Sequence, residues 1–151
     1  MDFIDRKIIG LLAADARRSL ADIGERVELS ASAVNERIRR LHASGVIRRF
    51  TVEADPESLG YPVLAFVFVA LAADADEGEF RRFSASHPAV LECHHVTGGW
   101  SYLMKVRLPV IGDIEDFLSL LKERRYLARS ETMIALSSAV ERTLTDGATS
   151  P

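Results

Sequence analysis

Between Ser30 and Phe50 the chain places five arginines, Arg37, Arg39, Arg40, Arg48 and Arg49, against one acid, Glu36. Guanidinium groups at that density bind anions, and the phosphate backbone of a duplex is the polyanion such a patch suits. Arg17, Arg18 and Ser19 precede the patch. The chain as a whole is acidic, with net charge −3, yet residues 1–52 carry ten Lys/Arg and seven Asp/Glu while residues 53–151 carry nine and fifteen. The positive charge is therefore local, as for a confined contact with nucleic acid. A solvated helix face balanced elsewhere is the alternative.

A second group lies in HHVTGGWSYLMKV, His94 to Val106. Gly98 and Gly99 both tolerate positive φ, so the pair predicts a hairpin turn. Such a turn exposes backbone N–H and C=O groups to which a small zwitterion can bind, with Trp100, Ser101 and Tyr102 along its edge and Thr97 behind. Trp100 equally suits an interface anchor. A third group, Cys93-His94-His95, has metal-ligand residue types. In a strand, however, Cys93 and His95 share one face and His94 points away, while His42 and His87 stand alone, so sheet packing is expected and no metal. Glu92 and His94 have acid–base character but no accompanying nucleophile or oxyanion donor. No catalytic residue is assigned, and the expectation is a protein that is not an enzyme. The single cysteine allows no intrachain disulfide and fits a reducing cytoplasm. No secretory leader is expected, and the apolar run from Leu64 to Ala73 is too short to cross a bilayer.

The elements that must position these groups follow from periodicity and caps. Phe3, Ile4, Ile8, Leu11 and Leu12 repeat at helical spacing and predict a helix that starts at Asp2 or Asp5 and ends near Asp15. Ser19 and Asp22 predict the start of a second helix, with Leu20, Ile23, Gly24 and Val27 inward. Ser30 caps a third, to about Ala43, with Val34, Ile38 and Leu41 buried. Its opposite face carries Ser32, Glu36, Arg39 and Arg40, with Asn35 on the flank. Val46–Val52 is β-rich and predicts a short strand. Two helices joined by a tight break, the second basic outward, fit a helix-turn-helix whose second helix enters a major groove. Ser32, Asn35, Glu36 and Arg39 would then approach base edges, with Ser30 at the helix start. Arg17, Arg18, Ser19, Arg40, Arg48 and Arg49 would hold phosphates.

Pro56, Gly60 and Pro62 punctuate a linker. Beyond it the pattern predicts strands at Leu64–Ala72, Val90–Val96, Trp100–Leu108 and Thr132–Leu136, with helices at Glu77–Ser86 and Ile114–Arg124. That order, βαββαβ, is the ferredoxin-like split unit. One sheet face is covered by the helices. The first strand is apolar on both faces, so a second copy of the chain is expected on the other, giving a homodimer.

The stretch from Ile4-Asp5-Arg6 through Leu29-Ser30 to Leu41, then Gly45-Val46-Ile47, and finally Thr97-Gly98 to Val106, resembles the Lrp/AsnC (feast/famine) transcription factors over nearly the whole chain. The resemblance implies an α+β protein with an N-terminal winged helix-turn-helix and a C-terminal ferredoxin-like domain. Its boundaries here are a DNA-binding domain over 1–52, a linker over 53–63, a ligand-sensing and oligomerisation domain over 64–140 and a tail over 141–151. The resemblance also implies dimers that can assemble into octamers, double-stranded DNA as partner, no cofactor, an amino acid as possible effector between dimers, and a cytoplasmic, nucleoid-associated protein with no membrane contact. It places Met133 and Ala135 near the same pocket as the Gly98-Gly99 loop. Two positions depart from the family pattern. Glu28 stands where a turn glycine is usual, and Ser101 stands where an acid usually helps form the effector pocket. Ser101 cannot neutralise an ammonium group. An effector-independent architectural DNA-binding protein therefore stands as an alternative, and a regulator-fold decarboxylase of haem precursors as another.

Overall fold

A computed structural model describes residues 1–141 of the chain, so the tail expected over 141–151 lies outside the described residues from position 142 onward. The chain divides into two compact units, one built on Met1–Glu53 and the other on Ala54–Ala139.

The first unit contains α1 (Phe3–Ala14), α2 (Leu20–Val27) and α3 (Ala31–Ala43). Each begins where a short polar side chain can accept from the unpaired N–H groups of the first turn. At α1 the arrangement is reciprocal: the Asp5 N–H donates to the Asp2 carboxylate (2.8 Å) and the Asp2 N–H donates back to Asp5 (3.0 Å). Ser19 accepts from the Asp22 N–H (3.1 Å), and Ser30 from the Ala33 N–H (3.2 Å). The apolar stripes converge on Ile8, Ile23 and Val34, none of which is exposed, flanked by Leu11 and Val27. Full burial of such a side chain contributes about 1.5–3 kcal/mol.

The break between α2 and α3 is tight. Glu28 adopts φ 57° and ψ 43°, the left-handed region. Gly24 is required by close approach, because a Cβ there would lie 2.5 Å from the Leu29 carbonyl oxygen. The same glycine's carbonyl accepts from the Leu29 N–H at 2.9 Å and so closes the turn.

The strand expected over Val46–Val52 does not form. Ser44 to Ile47 makes a turn in which the Ile47 N–H returns to the Leu41 carbonyl (3.1 Å), and residues 48–55 hold no regular element. A β-rich segment becomes a strand only when a second strand satisfies its backbone, and none is offered among the described residues.

The second unit contains β1 (Val63–Leu71), α4 (Glu77–Ser86), β2 (Val90–His95), β3 (Tyr102–Leu108), α5 (Asp113–Glu123) and β4 (Leu127–Ile134). The strands form one antiparallel sheet in the order β2-β3-β1-β4, with β1 and β3 central. The βαββαβ order is the expected one. The largest differences in the bounds lie at β4 and β3. β4 starts at Leu127 rather than Thr132, since the polar run Arg129-Ser130-Glu131 can serve an edge strand whose outward groups meet water. Trp100 and Ser101 lie outside β3, in the loop. That loop is wider than a two-residue turn, running between the paired His95 and Tyr102. Only Gly98 takes positive φ, at 100°; Gly99 does not.

Strand alternation sends Ala65, Val67, Val69, Tyr102, Met104 and Val106 under the helices, where they meet Phe80, Phe83, Phe117 and Leu121. Phe66, Phe68, Leu103, Lys105 and Arg107 occupy the other face and are half-buried.

Candidate nucleic-acid interface and effector loop

α3 is anchored through its concealed side. Val34 and Leu41 are buried, while Ser32, Asn35, Glu36, Arg39 and Arg40 are exposed. Glu36 and Arg39 pair loosely at 3.5 Å, both about three-quarters exposed, so Arg39 remains available to a ligand. Not all the arginines are equally free. Arg37 donates to Asp2 and to Asp5, each at 2.7 Å, and Arg40 donates to Asp5 at 3.2 Å. Asp5 is buried (1% exposed) and receives both guanidinium groups. Burial alone would raise its carboxyl pKa. The Asp2 N–H and the Arg37 guanidinium outweigh that cost and hold it below the usual carboxylate range. Arg40 is still largely exposed, so it can approach a phosphate while resting against Asp5.

The other expected phosphate ligands divide in the same way. Arg18 is tied to Asp22, whereas the side chains of Arg17, Arg48 and Arg49 are exposed. Ser19 and Ser30 are helix caps, exposed at the starts of α2 and α3. The segment carrying Arg48 and Arg49 is steered back towards α3 by Phe50, whose ring stacks on His42 with centroids 6.5 Å apart.

The glycine loop joins β2 to β3. Its Ser101 N–H donates to the Val69 carbonyl (2.8 Å), and the Ser101 hydroxyl accepts from the Leu71 N–H (3.1 Å). Ser101 therefore fastens the loop to β1 and turns its oxygen inward. Tyr102 does not line the loop edge as expected. It points under the helices, 3% exposed, and its hydroxyl bonds Glu77 and Arg81. The alternation of β3 decides this: Tyr102 shares the face of Met104 and Val106. Thr97, Gly98 and Gly99 are exposed, and Trp100 is half-buried against Phe68 with centroids 5.8 Å apart.

A residue not singled out from the sequence completes the loop. Arg129 of β4 lies over the Trp100 ring, 4.0 Å from its centroid, and donates to the Gly99 carbonyl at 2.7 Å. Had the last strand been extended back to Leu127, alternation would have put Arg129 on the face of Phe66 and Phe68.

Met133 and Ala135 lie further along the sheet. Met133 pairs with Phe66 and the Ala135 N–H donates to Leu64, whereas Ser101 is fastened to Val69 and Leu71. Leu64 and Val69 are about 17 Å apart along an extended strand. One chain therefore does not bring Ala135 to the loop, whereas Met133, opposite Phe66, lies two residues along from the partner of Phe68, on which Trp100 packs.

On the third group, His94 pairs with Glu92 at 3.0 Å on the open face, and His95 stacks on Tyr102 under α4, with centroids 5.0 Å apart. Burial pushes the Cys93 thiol pKa up, which disfavours thiolate. Among the described residues no helix is long and apolar enough to cross a membrane.

Residues 1–42 match the AsnC-type helix-turn-helix domain, and residues 64–145 match the Lrp/AsnC ligand binding domain. The chain is similar to the HTH-type transcriptional regulator FL11 of Pyrococcus horikoshii, 36% identical over 143 residues that cover 95% of this chain and 94% of that protein. In structure it is similar to LrpC of Bacillus subtilis, with TM-score 0.83, 29% identity and coverage of 94% and 99%. It is also similar to a transcriptional regulator of Neisseria meningitidis in complex with L-Met, with TM-score 0.87, 26% identity and coverage of 95% and 94%.

Proposed function

The chain belongs to the Lrp/AsnC family of DNA-binding transcriptional regulators with a ligand-binding domain, and from that premise we propose how its own residues divide the work. α3 is the reading helix. Ser32, Asn35, Glu36 and Arg39 face the base edges, and Arg17, Arg18, Ser19, Arg40, Arg48 and Arg49 meet the backbone, with Ser30 at the helix start. The observation that carries this reading is the two-sidedness of α3: Val34 and Leu41 are sealed in the core while the polar row with Arg39 stands clear of any packing. The test is retention of a defined subset of genomic fragments by the purified protein, with affinity falling steeply as salt rises. Equal retention of all fragments would instead support the effector-independent architectural reading.

Two copies pair through the open sheet face. Phe66, Phe68, Leu103 and the half-exposed Met133 give that face an apolar patch beside Lys105 and Arg107, and a second identical face is its natural cover. Paired helices then address paired half-sites. A small effector, an amino acid or a related molecule, binds at the Thr97–Ser101 loop. The separation of that loop from Ala135 within one chain fits a site completed by another copy, in assemblies up to octamers. The effector shifts promoter occupancy by favouring one assembly over another. Light scattering with and without amino acids tests this: a change in mass on addition supports it, and constant mass and constant DNA affinity oppose it. The protein works on DNA in the cytoplasm.

A further inference from the structure

Four features converge on the Gly98–Trp100 loop. The Arg129 guanidinium rests on the Gly99 carbonyl and the Trp100 ring. The N–H groups of Gly98, Gly99 and Trp100 have no protein acceptor among the described residues. The Ser101 hydroxyl accepts from the Leu71 N–H of β1 and carries no charge with which to meet an ammonium. The Trp100 ring, backed by Phe68, lies beside them. Three free donors and a fork-shaped cation, next to flat hydrocarbon, make a receptor for a planar anion.

We propose that Arg129 is the carboxylate receptor of the effector site, and that the ligand class is a small carboxylic acid with an apolar body, for which an α-ammonium group is dispensable. This rests on the reading that the loop binds an effector. A carboxylate accepts from the Arg129 fork and the loop N–H groups, drawing the guanidinium off the Gly99 carbonyl, while the apolar body lies on Trp100. A 2-oxo acid presents that carboxylate without bringing a second cation up to Arg129. Glu131, which shares the face and pairs in register with Phe68, is the one acid of β4. An ammonium that counted would have to count through Glu131.

Trp100 is the chain's only tryptophan, so its emission reports this site without labelling. The experiment titrates the full-length protein with three probes of one skeleton: 4-methyl-2-oxopentanoate, leucine and leucinamide. The oxo acid is expected to shift the emission at least as strongly as leucine, and leucinamide, which lacks the carboxylate, to leave it unchanged. Arg129→Gln should weaken the oxo acid roughly tenfold or more, and Arg129→Lys by less. Arg129 is exposed on an edge strand, so both variants should fold. Leucinamide acting as well as leucine would overturn the proposal. So would leucine binding more than tenfold tighter than the oxo acid, with that advantage lost in Glu131→Gln. If no probe moves the emission but some amino acid still changes assembly or DNA affinity, the effector reading survives and Arg129 loses its role. If nothing changes any of the three readouts, both readings fall.

Discussion

Arg37 donates to the buried carboxylate of Asp5 at 2.7 Å, joining the reading helix to the first turn of α1. Asp5 is not on the proposed DNA face, yet it fixes where that face points. Replacing it by Ala leaves Arg37 without its buried partner and should cost about 2–3 kcal/mol of stability. DNA affinity should fall at temperatures where the variant is still folded. Denaturant titration and band shifts check this together; wild-type values in both would remove the clamp from the account.

The same pair sets an acid limit. Asp5 and Asp2 are both held below the ordinary carboxylate range, Asp2 mainly by its bond from Arg37. A carboxyl whose pKa is lower folded than unfolded stabilises fully above the unfolded value and loses that contribution as pH falls through the folded one. The contribution is therefore intact at neutral pH and fades below about pH 4. Melting curves from pH 7 to 3 should show a steeper acid loss for the wild type than for Asp5→Asn.

His87 acts in a milder range. Its ring packs against Phe83 and Phe117 and its Nδ1 accepts from the Ala89 N–H at 3.2 Å. Burial, helped by Arg124, lowers its pKa. The folded state thus holds the neutral ring, and stability drops as pH falls below the unfolded value of about 6.5. His87→Asn should flatten the stability profile between pH 7 and 5, as read by thermal melts. An unchanged slope would assign that drop to other groups.

Arg39 and Arg48 should fail differently on DNA. Arg39→Ala should cost roughly 1–3 kcal/mol at preferred sites and relax sequence choice, as expected of a base contact. Arg48→Ala should weaken all sites alike and reduce the salt slope by about one. Binding measured over a panel of fragments and salt concentrations separates the two roles.

The turn offers a test of strain. Glu28 sits at φ 57°, where a Cβ is disfavoured, so Glu28→Gly should stabilise the first unit by up to about 1 kcal/mol. Gly24→Ala should do the opposite, because its methyl would collide with the Leu29 carbonyl. Midpoints shifting in the same direction for both variants would contradict the turn geometry.

The helices, their caps at Asp2, Ser19 and Ser30 and the βαββαβ order were legible in the sequence by itself. They rest on hydrogen bonds and side-chain periodicities that span only a few residues. Glu28 stands out only through the family resemblance, at a position where a turn glycine is usual. The length of β4, the unpaired Val46–Val52 segment, the inward turn of Tyr102 and the placement of Arg129 on Trp100 were decided by tertiary structure. Arg129 is 30 positions from Gly99, and Arg37 is 32 from Asp5. Whether a charged side chain faces a ligand or another residue depends on what folding brings opposite it, and no pattern read within one short stretch contains that partner.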